Sequence, residues 1–300
     1  MSVEAPMADR LRSLVDRDAV VALLRAAIAR QSITGNEANF VDFLDEQMLD
    51  LRLEPQRAEF LPGRPNIWGQ RKGTADGKRL LFMGHTDTVH VRGWQERWEG
   101  TEREDPFCGV EVDGEIWGRG SGDLKAGICC SLAALQLLDA AGLQLKGDVA
   151  FAFVGDEESG EPGTGVSAGI KDYTSRVLAG EIERPDFAIY VEPTKLAIYP
   201  AQIGFFIADI TITGRSAYFG VPEQGVDALK AAHSVLSAIW DHAADISARG
   251  VHPLVGRSNA LVTDFKAGGY IAVPGDCTMS LIRKLRPGED LDEAVAEFES

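Results

Sequence analysis

Residues 80–87 read Leu-Leu-Phe-Met-Gly-His-Thr-Asp, LLFMGHTD, an apolar run that ends on an imidazole and a carboxylate. Its length suits a buried strand better than a helix. The same pattern occurs twice more. Residues 148–158 carry VAFAFV into Glu157 and Glu158, and residues 187–192 carry FAIYV into Glu192. In an open α/β sheet the carboxyl ends of the strands meet in one crevice, where ligands bind. Three such strands would deliver one imidazole and three carboxylates to that crevice, a poor core but a good cation site.

The intervening text supports such a sheet. Amphipathic spacing predicts helices from Ala19 to about Arg30 and from Glu37 to Leu51, separated by Thr34-Gly35-Asn36. Leu124 to Ala141 is Ala- and Leu-rich, preceded by Asp123 and stopped by Gly142, which predicts a third. Further strands are expected at Asn66 to Gln70 and Arg79 to Gly84, with a short hairpin around Val112-Asp113-Gly114-Glu115. Strand and helix alternate, so the fold expected for residues 1–203 is α/β, with a doubly wound, mostly parallel sheet.

The text changes character near Gly204. Phe205 to Thr213 alternates like a half-buried strand, Glu223 to Ala248 reads as a long amphipathic helix, and Ala260 to Phe265 and Cys277 to Leu285 read as strands. Asp290 opens another helix, giving β-α-β-β-α over residues 204–300. A split βαβ unit needs a last strand to cover its edge, so the polypeptide is expected to continue past Ser300.

Composition narrows the function classes. A formal charge of −16 disfavours nucleic acid as a partner, because affinity for phosphate backbones comes mainly from Lys and Arg. The N-terminal stretch lacks an apolar signal region and no run approaches the roughly 18 apolar residues of a membrane span, so a cytoplasmic protein without a membrane partner is expected. Cys108, Cys129, Cys130 and Cys277 form no metal-binding or disulfide pattern and read as small buried hydrophobes.

Each candidate has a plain alternative. His85 could stand in a surface turn, although Asp87 is well placed to accept the second ring N–H of a ligating histidine. Asp123 could be an ordinary helix N-cap or a carboxylate bridging two cations. Consecutive extended residues point opposite ways, so one of Glu157 and Glu158 can bind metal while the other faces substrate. Glu192-Pro193-Thr194 also reads as a turn. Gly165 to Gly169 fits G-x-S-x-G and Gly163 to Ala168 fits a phosphate loop, but neither follows directly from a strand, as both mechanisms require.

Taken in order, GHTDTVH (84–90), GRGSGDLKAG (118–127), DEESG (156–160) and VEPT (191–194), with Trp98 and Asp105-Pro106-Phe107 between the first two, resemble the dinuclear zinc amidohydrolases. That family includes acetylornithine deacetylase, succinyl-diaminopimelate desuccinylase, aminoacylases and glutamate-releasing carboxypeptidases. The resemblance implies a zinc-exopeptidase-like catalytic domain with an inserted, ferredoxin-like α+β lid that forms a homodimer. It implies two zinc ions, with cobalt as a possible substitute. His85, Asp123 and Glu192 would hold one, and Asp123 and Glu158 the second. Asp87 would orient His85, and Glu157 would be the general base for attack of water on an amide of an N-acyl amino acid or small peptide. Arg283 matches an arginine that the family directs at a substrate carboxylate. Tyr218, in Gly214-Arg215-Ser216-Ala217-Tyr218, stands where the family has an oxyanion-stabilising His, and Ile271 where it has Asn. The family's fifth protein ligand, a His on a segment that returns to the catalytic domain, has no counterpart before Ser300. His233, His242 and His252 fall in or just after the long helix and read as ordinary helix-surface residues. These departures leave an alternative: a catalytically impaired member that dimerises or binds ligand.

Overall fold

Strand β6 (Val149–Val154) is buried at every one of its six positions. In the computed structural model, which describes residues 5–158 and 164–300, it is the centre of a five-stranded sheet ordered β1-β2-β6-β3-β7. The other strands are β1 (Gln56–Leu61), β2 (Arg64–Arg71), β3 (Leu80–His85) and β7 (Phe187–Tyr190). Alternate β6 side chains point to opposite faces, and both faces are apolar because both are covered. Phe151 and Phe153 join Ile67 and the helices α3 (Ala38–Asp50) and α5 (Ala126–Ala140) in one core. Ala150, Ala152 and Val154 join Leu81 and Tyr173, the latter from α6 (Ala168–Leu178), in the other.

The expected mostly parallel sheet is corrected to a mixed one. Strands β6, β3 and β7 run parallel, but β2 is antiparallel to both β6 and β1. The hairpin joining β1 to β2 turns at Pro62-Gly63, between the paired residues Leu61 and Arg64, with Gly63 at φ +72°. A proline followed by a left-handed glycine is the signature of a type II turn. Strand β1 escaped the sequence reading because QRAEFL has only a half-buried face.

The rest of the first unit supports this sheet. Helices α1 (Ala5–Ser13) and α2 (Arg17–Ile28) lead into it, and the Asp16 carboxylate accepts the Ala19 amide at 3.0 Å as the N-cap of α2. The segment before α5 holds a short helix α4 (Trp94–Trp98) and the small hairpin of β4 (Val110–Val112) and β5 (Glu115–Trp117). Arg103 lies over the Trp117 ring at 3.9 Å, with Trp98 edge-on to Trp117 at 5.3 Å.

The chain divides into two compact units, Met1–Leu196 and Ala197–Ser300. The second contains β8 (Gly204–Thr213), α7 (Ala228–Ala248), β9 (Asn259–Ala267), β10 (Asp276–Leu285) and α8 (Leu291–Glu299). Its sheet is antiparallel, ordered β8-β10-β9. Cys277, Met279 and Leu281 face Ala228, Ala232 and Ile239 of α7 in a core of their own. Cys129 and Cys277 are buried as expected, whereas Cys108 and Cys130 are exposed; all four are free. Among the described residues no helix is long and apolar enough to cross a membrane.

Candidate metal centre

Strand β3 ends on His85, whose side chain is fully buried. Its Nε2 lies 3.0 Å from Asp123 Oδ1, 3.6 Å from Glu192 Oε1 and 3.9 Å from Glu157 Oε2. One ligand atom each from His85, Asp123 and Glu192 all fall within 4.8 Å of one another. A nitrogen and carboxylate oxygens at that spacing are a donor set for a divalent cation. The carboxyl ends of β3 and β7 thus bring His85 and Glu192 together with Asp123, and Glu157 beyond β6 approaches His85, whereas Glu158 is not in this group.

Asp123 is not a helix cap. It lies in the turn Ser121–Lys125 ahead of α5, follows non-helical dihedrals and is joined to Leu124 by a cis peptide bond. Its carboxylate is half-exposed and turned to His85. The turn is fastened by Lys125, a buried ammonium donating to Ala27 O at 3.0 Å and Arg30 O at 2.5 Å, at the end of α2, and lying 4.4 Å from the Phe40 ring centre. Burial pulls Lys125 down to about 7.

Asp87 acts differently from the expectation. The His85 ring is oriented through Nδ1, which donates to the main-chain carbonyl of Asp87 at 2.8 Å, while the Asp87 carboxylate stands 3.7 Å away. That carboxylate instead accepts the Glu157 amide at 3.2 Å, the Glu158 amide at 2.8 Å and the Thr34 hydroxyl at 3.0 Å. It therefore grips the backbone that carries both glutamates. The carbonyl fixes the same tautomer that a carboxylate would, leaving Nε2 free to ligate.

The site carries more negative charge than its own cations balance. Burial, followed by the charge of Asp123, raises Glu158 to about 7 against the opposing His85. Burial raises Glu192 to about 7 as well, with Asp123 and Glu157 adding to it and His85 opposing. Glu157 is raised by burial and by Asp87 and Asp123, again opposed by His85. For His85, burial lowers the affinity for a proton, but the hydrogen bond to Asp123 and the charges of Asp87, Glu157 and Glu192 prevail and lift it to about 9. Burial and mutual repulsion together favour protons on these carboxylates, and a bound cation would relieve both.

Sequence reading missed several contributors. Thr34 holds Asp87, and Lys125 holds the Asp123 turn. Neither has a local signature, because each acts across the fold. Gly127 had one in principle: a Cβ there would sit 2.1 Å from the Val191 carbonyl, so glycine lets α5 approach the segment carrying Glu192.

Two proposed residues belong to the second unit. Tyr218 is exposed, its ring packed on Phe219 at 4.6 Å and its backbone bridged to Ala272. Arg283 corrects the clamp expectation. It shares the helix-facing side of β10 with Cys277, Met279 and Leu281, its side chain is 1% exposed, and its guanidinium is engaged by Glu289 at 3.1 Å and by the Lys284 carbonyl. A guanidinium buried and paired there is a structural strut. His252 lies just after the helix, in a turn where its Nδ1 accepts the Leu254 amide. Ser167, the serine of G-x-S-x-G, is the N-cap residue of α6, and its amide donates to Asp156 O.

A family model for peptidase family M20/M25/M40 matches residues 81–265. Succinyl-diaminopimelate desuccinylase of Methylorubrum extorquens is 33% identical over 228 residues, 73% of this chain and 56% of that protein. The same enzyme of Methylobacterium radiotolerans is 30% identical over 236 residues, 74% of this chain and 56% of that protein. The chain thus spans about half the length of these curated relatives. Among solved structures, an M20 family metallo-carboxypeptidase of Sulfolobus solfataricus superposes with a TM-score of 0.75 at 16% identity, over 95% of this chain and 75% of that one. A di-peptidase of Saccharomyces cerevisiae gives 0.69 at 13% identity, over 97% and 74%.

Proposed function

The chain belongs to peptidase family M20/M25/M40, and on that premise we propose that it is a metal-dependent hydrolase of an amide bond in N-acyl amino acids or small peptides. The observation that carries the reading is the convergence of His85, Asp123 and Glu192 within 4.8 Å. In this proposal those three hold one divalent cation, while Asp123 and Glu158 hold a second. Zinc suits the nitrogen and oxygen donors, and cobalt is an acceptable substitute. When bound, such cations polarise an amide carbonyl and make water a better acid.

The protein's own residues do the rest. Glu157 is the general base, partly open to solvent and raised above the ordinary carboxylate range by burial and by Asp87 and Asp123. A base with a raised pKa takes a proton from attacking water and still holds it for transfer to the departing amine. Asp87 fixes the direction of Glu157 and Glu158 through their amides. Tyr218 is proposed as a hydrogen-bond donor to the oxygen that gains charge. The second unit serves as a ferredoxin-like lid and homodimer surface, in a cytoplasmic protein with neither nucleic acid nor membrane as partner.

The test uses full-length protein supplied with zinc or cobalt and a panel of N-succinyl, N-acetyl and dipeptide substrates. Release of free amine supports the reading, and no release from any member would end it. Glu157→Gln is expected to lower turnover by at least 100-fold while retaining metal; undiminished turnover removes Glu157 as the base. Tyr218→Phe, which deletes only the hydroxyl, is expected to lower kcat with little change in KM. An unchanged kcat returns Tyr218 to a packing role.

A further inference from the structure

Behind the two glutamates lies a buried charge cluster with no part in the chemistry just described. Arg64, whose side chain is 9% exposed, reaches two carboxylates that are fully buried, Glu37 and Asp156. Its Nη2 donates to Glu37 Oε1 at 2.5 Å and to Asp156 Oδ1 at 2.8 Å, and its Nε to Glu37 Oε2 at 3.0 Å. Its guanidinium carbon stands 5.0 Å from the Phe60 ring centre. Asp156 also accepts the amides of Gly165, Val166 and Ala168 at 3.2, 3.1 and 3.1 Å. These amides and Arg64 hold Asp156 below the usual carboxylate range despite its burial.

Buried ion pairs are weak stabilisers, because desolvation offsets most of their attraction. The geometry that this cluster fixes is more informative. Asp156 takes a left-handed φ of +68°, which a non-glycine residue keeps only where its surroundings over-determine it. At that residue the chain leaves the line of β6 and presents the next two amides, of Glu157 and Glu158, to the two oxygens of Asp87.

We propose that Arg64 is a positioning residue: through Asp156 it sets the backbone turn that delivers Glu157 and Glu158 to the metal centre. The proposal rests on the roles given to those glutamates above. Arginine is required because its planar fork grips both oxygens of Glu37 through two nitrogens while one of them also reaches Asp156, a fixed bidentate geometry that the single nitrogen of lysine does not reproduce.

The experiment compares full-length Arg64→Lys with Arg79→Met. Arg79 is also buried and ion-paired, to Asp148 and Glu183, but it precedes the opposite end of β3. Hydrogen exchange at the Glu157 and Glu158 amides is read without metal, and cobalt affinity and the kcat and KM of the proposed reaction are read separately. Arg64→Lys is expected to unfold cooperatively, yet to exchange these amides at least tenfold faster, bind cobalt at least tenfold more weakly and lose kcat more than KM. Arg79→Met is expected to lose stability and keep both amide protection and cobalt affinity. Wild-type protection and affinity in Arg64→Lys would overturn the proposal, as would equal losses in Arg79→Met. Should Arg64→Lys not fold, Asp156→Asn supplies the same readings, since it retains an acceptor for the amides but weakens the tie to Arg64. A wild-type protein that binds no cobalt would strike the metal reading, while the exchange comparison would still decide the role of Arg64.

Discussion

Single residues in this chain take their role from what their polar atoms meet. Asp87 was legible as a partner of His85 from its spacing alone, but not as the acceptor for two amides arriving from β6, because no sequence spacing encodes a contact 70 residues away. Arg283 shows the converse. Its place in the sequence suggested a substrate clamp, whereas the alternation of β10 turns it toward the helices, where Glu289 receives it. Burial raises Glu289, but the Ser258 hydroxyl, the Arg286 amide and Arg283 outweigh it and hold the carboxyl at about 2. A depressed carboxyl stabilises the fold fully above its unfolded value, near 4.3, and the contribution fades as pH falls toward about 2. The shift corresponds to about 3 kcal/mol, roughly half of it gone by pH 3. Urea titrations followed by Trp240, the one tryptophan of the second unit, should therefore show wild type losing more stability between pH 7 and pH 3 than Glu289→Gln. Parallel losses in the two proteins would show that Glu289 is not the source.

At the scale of elements, the wholly apolar strands were read nearly to the residue, whereas the long periodic helix was begun at Glu223 instead of Ala228 and the weakly patterned segments were missed. Strand β6 has one apolar side chain after another because both of its faces are covered, and that pattern needs no context. Strand β1 and helix α4 have mixed faces and were missed, and with β1 went the antiparallel half of the sheet. The start of α5 was placed at Leu124, whereas the helix begins at Ala126 because Asp123 and Leu124 are drawn into the turn facing His85. How closely α5 lies to the end of β7 depends on Gly127. A methyl group there would overlap the Val191 carbonyl at 2.1 Å, and backbone cannot swing aside as a flexible side chain does. Gly127→Ala is expected to destabilise by about 2 kcal/mol, in the range of overpacked sites. It should also weaken metal retention, because the residue after Val191 is the proposed ligand Glu192. Urea unfolding and a cobalt titration measure the two effects. A variant that matches wild type in both would show that this contact relaxes at no cost.

For the whole molecule, the distribution of charge and ligands between the two units makes a metal reading testable without knowing the substrate. Every proposed ligand, His85, Asp123, Glu158 and Glu192, belongs to Met1–Leu196. They come from four separate points along the chain, so unfolding scatters them, and the cation binds the native state far better than the unfolded one. Linkage then requires metal to stabilise the fold by RT ln(1 + [M]/Kd), about 2.7 kcal/mol at a hundredfold excess over Kd. The net charge of −16 adds non-specific attraction for any divalent cation, so stabilisation alone does not identify the site. Magnesium separates the two effects. It shares the charge of zinc but prefers all-oxygen, water-rich coordination, so it should reproduce the general electrostatic part and little else. Thermal unfolding followed by circular dichroism should show a larger rise in midpoint with zinc than with magnesium, reversed by EDTA. In His85→Ala the excess of zinc over magnesium should vanish, since the buried imidazole is the nitrogen donor in the proposed set. If the excess persisted in that variant, zinc would be binding elsewhere, and the convergence of the three strand ends would have to be explained as a structural cluster of acids around a charged histidine.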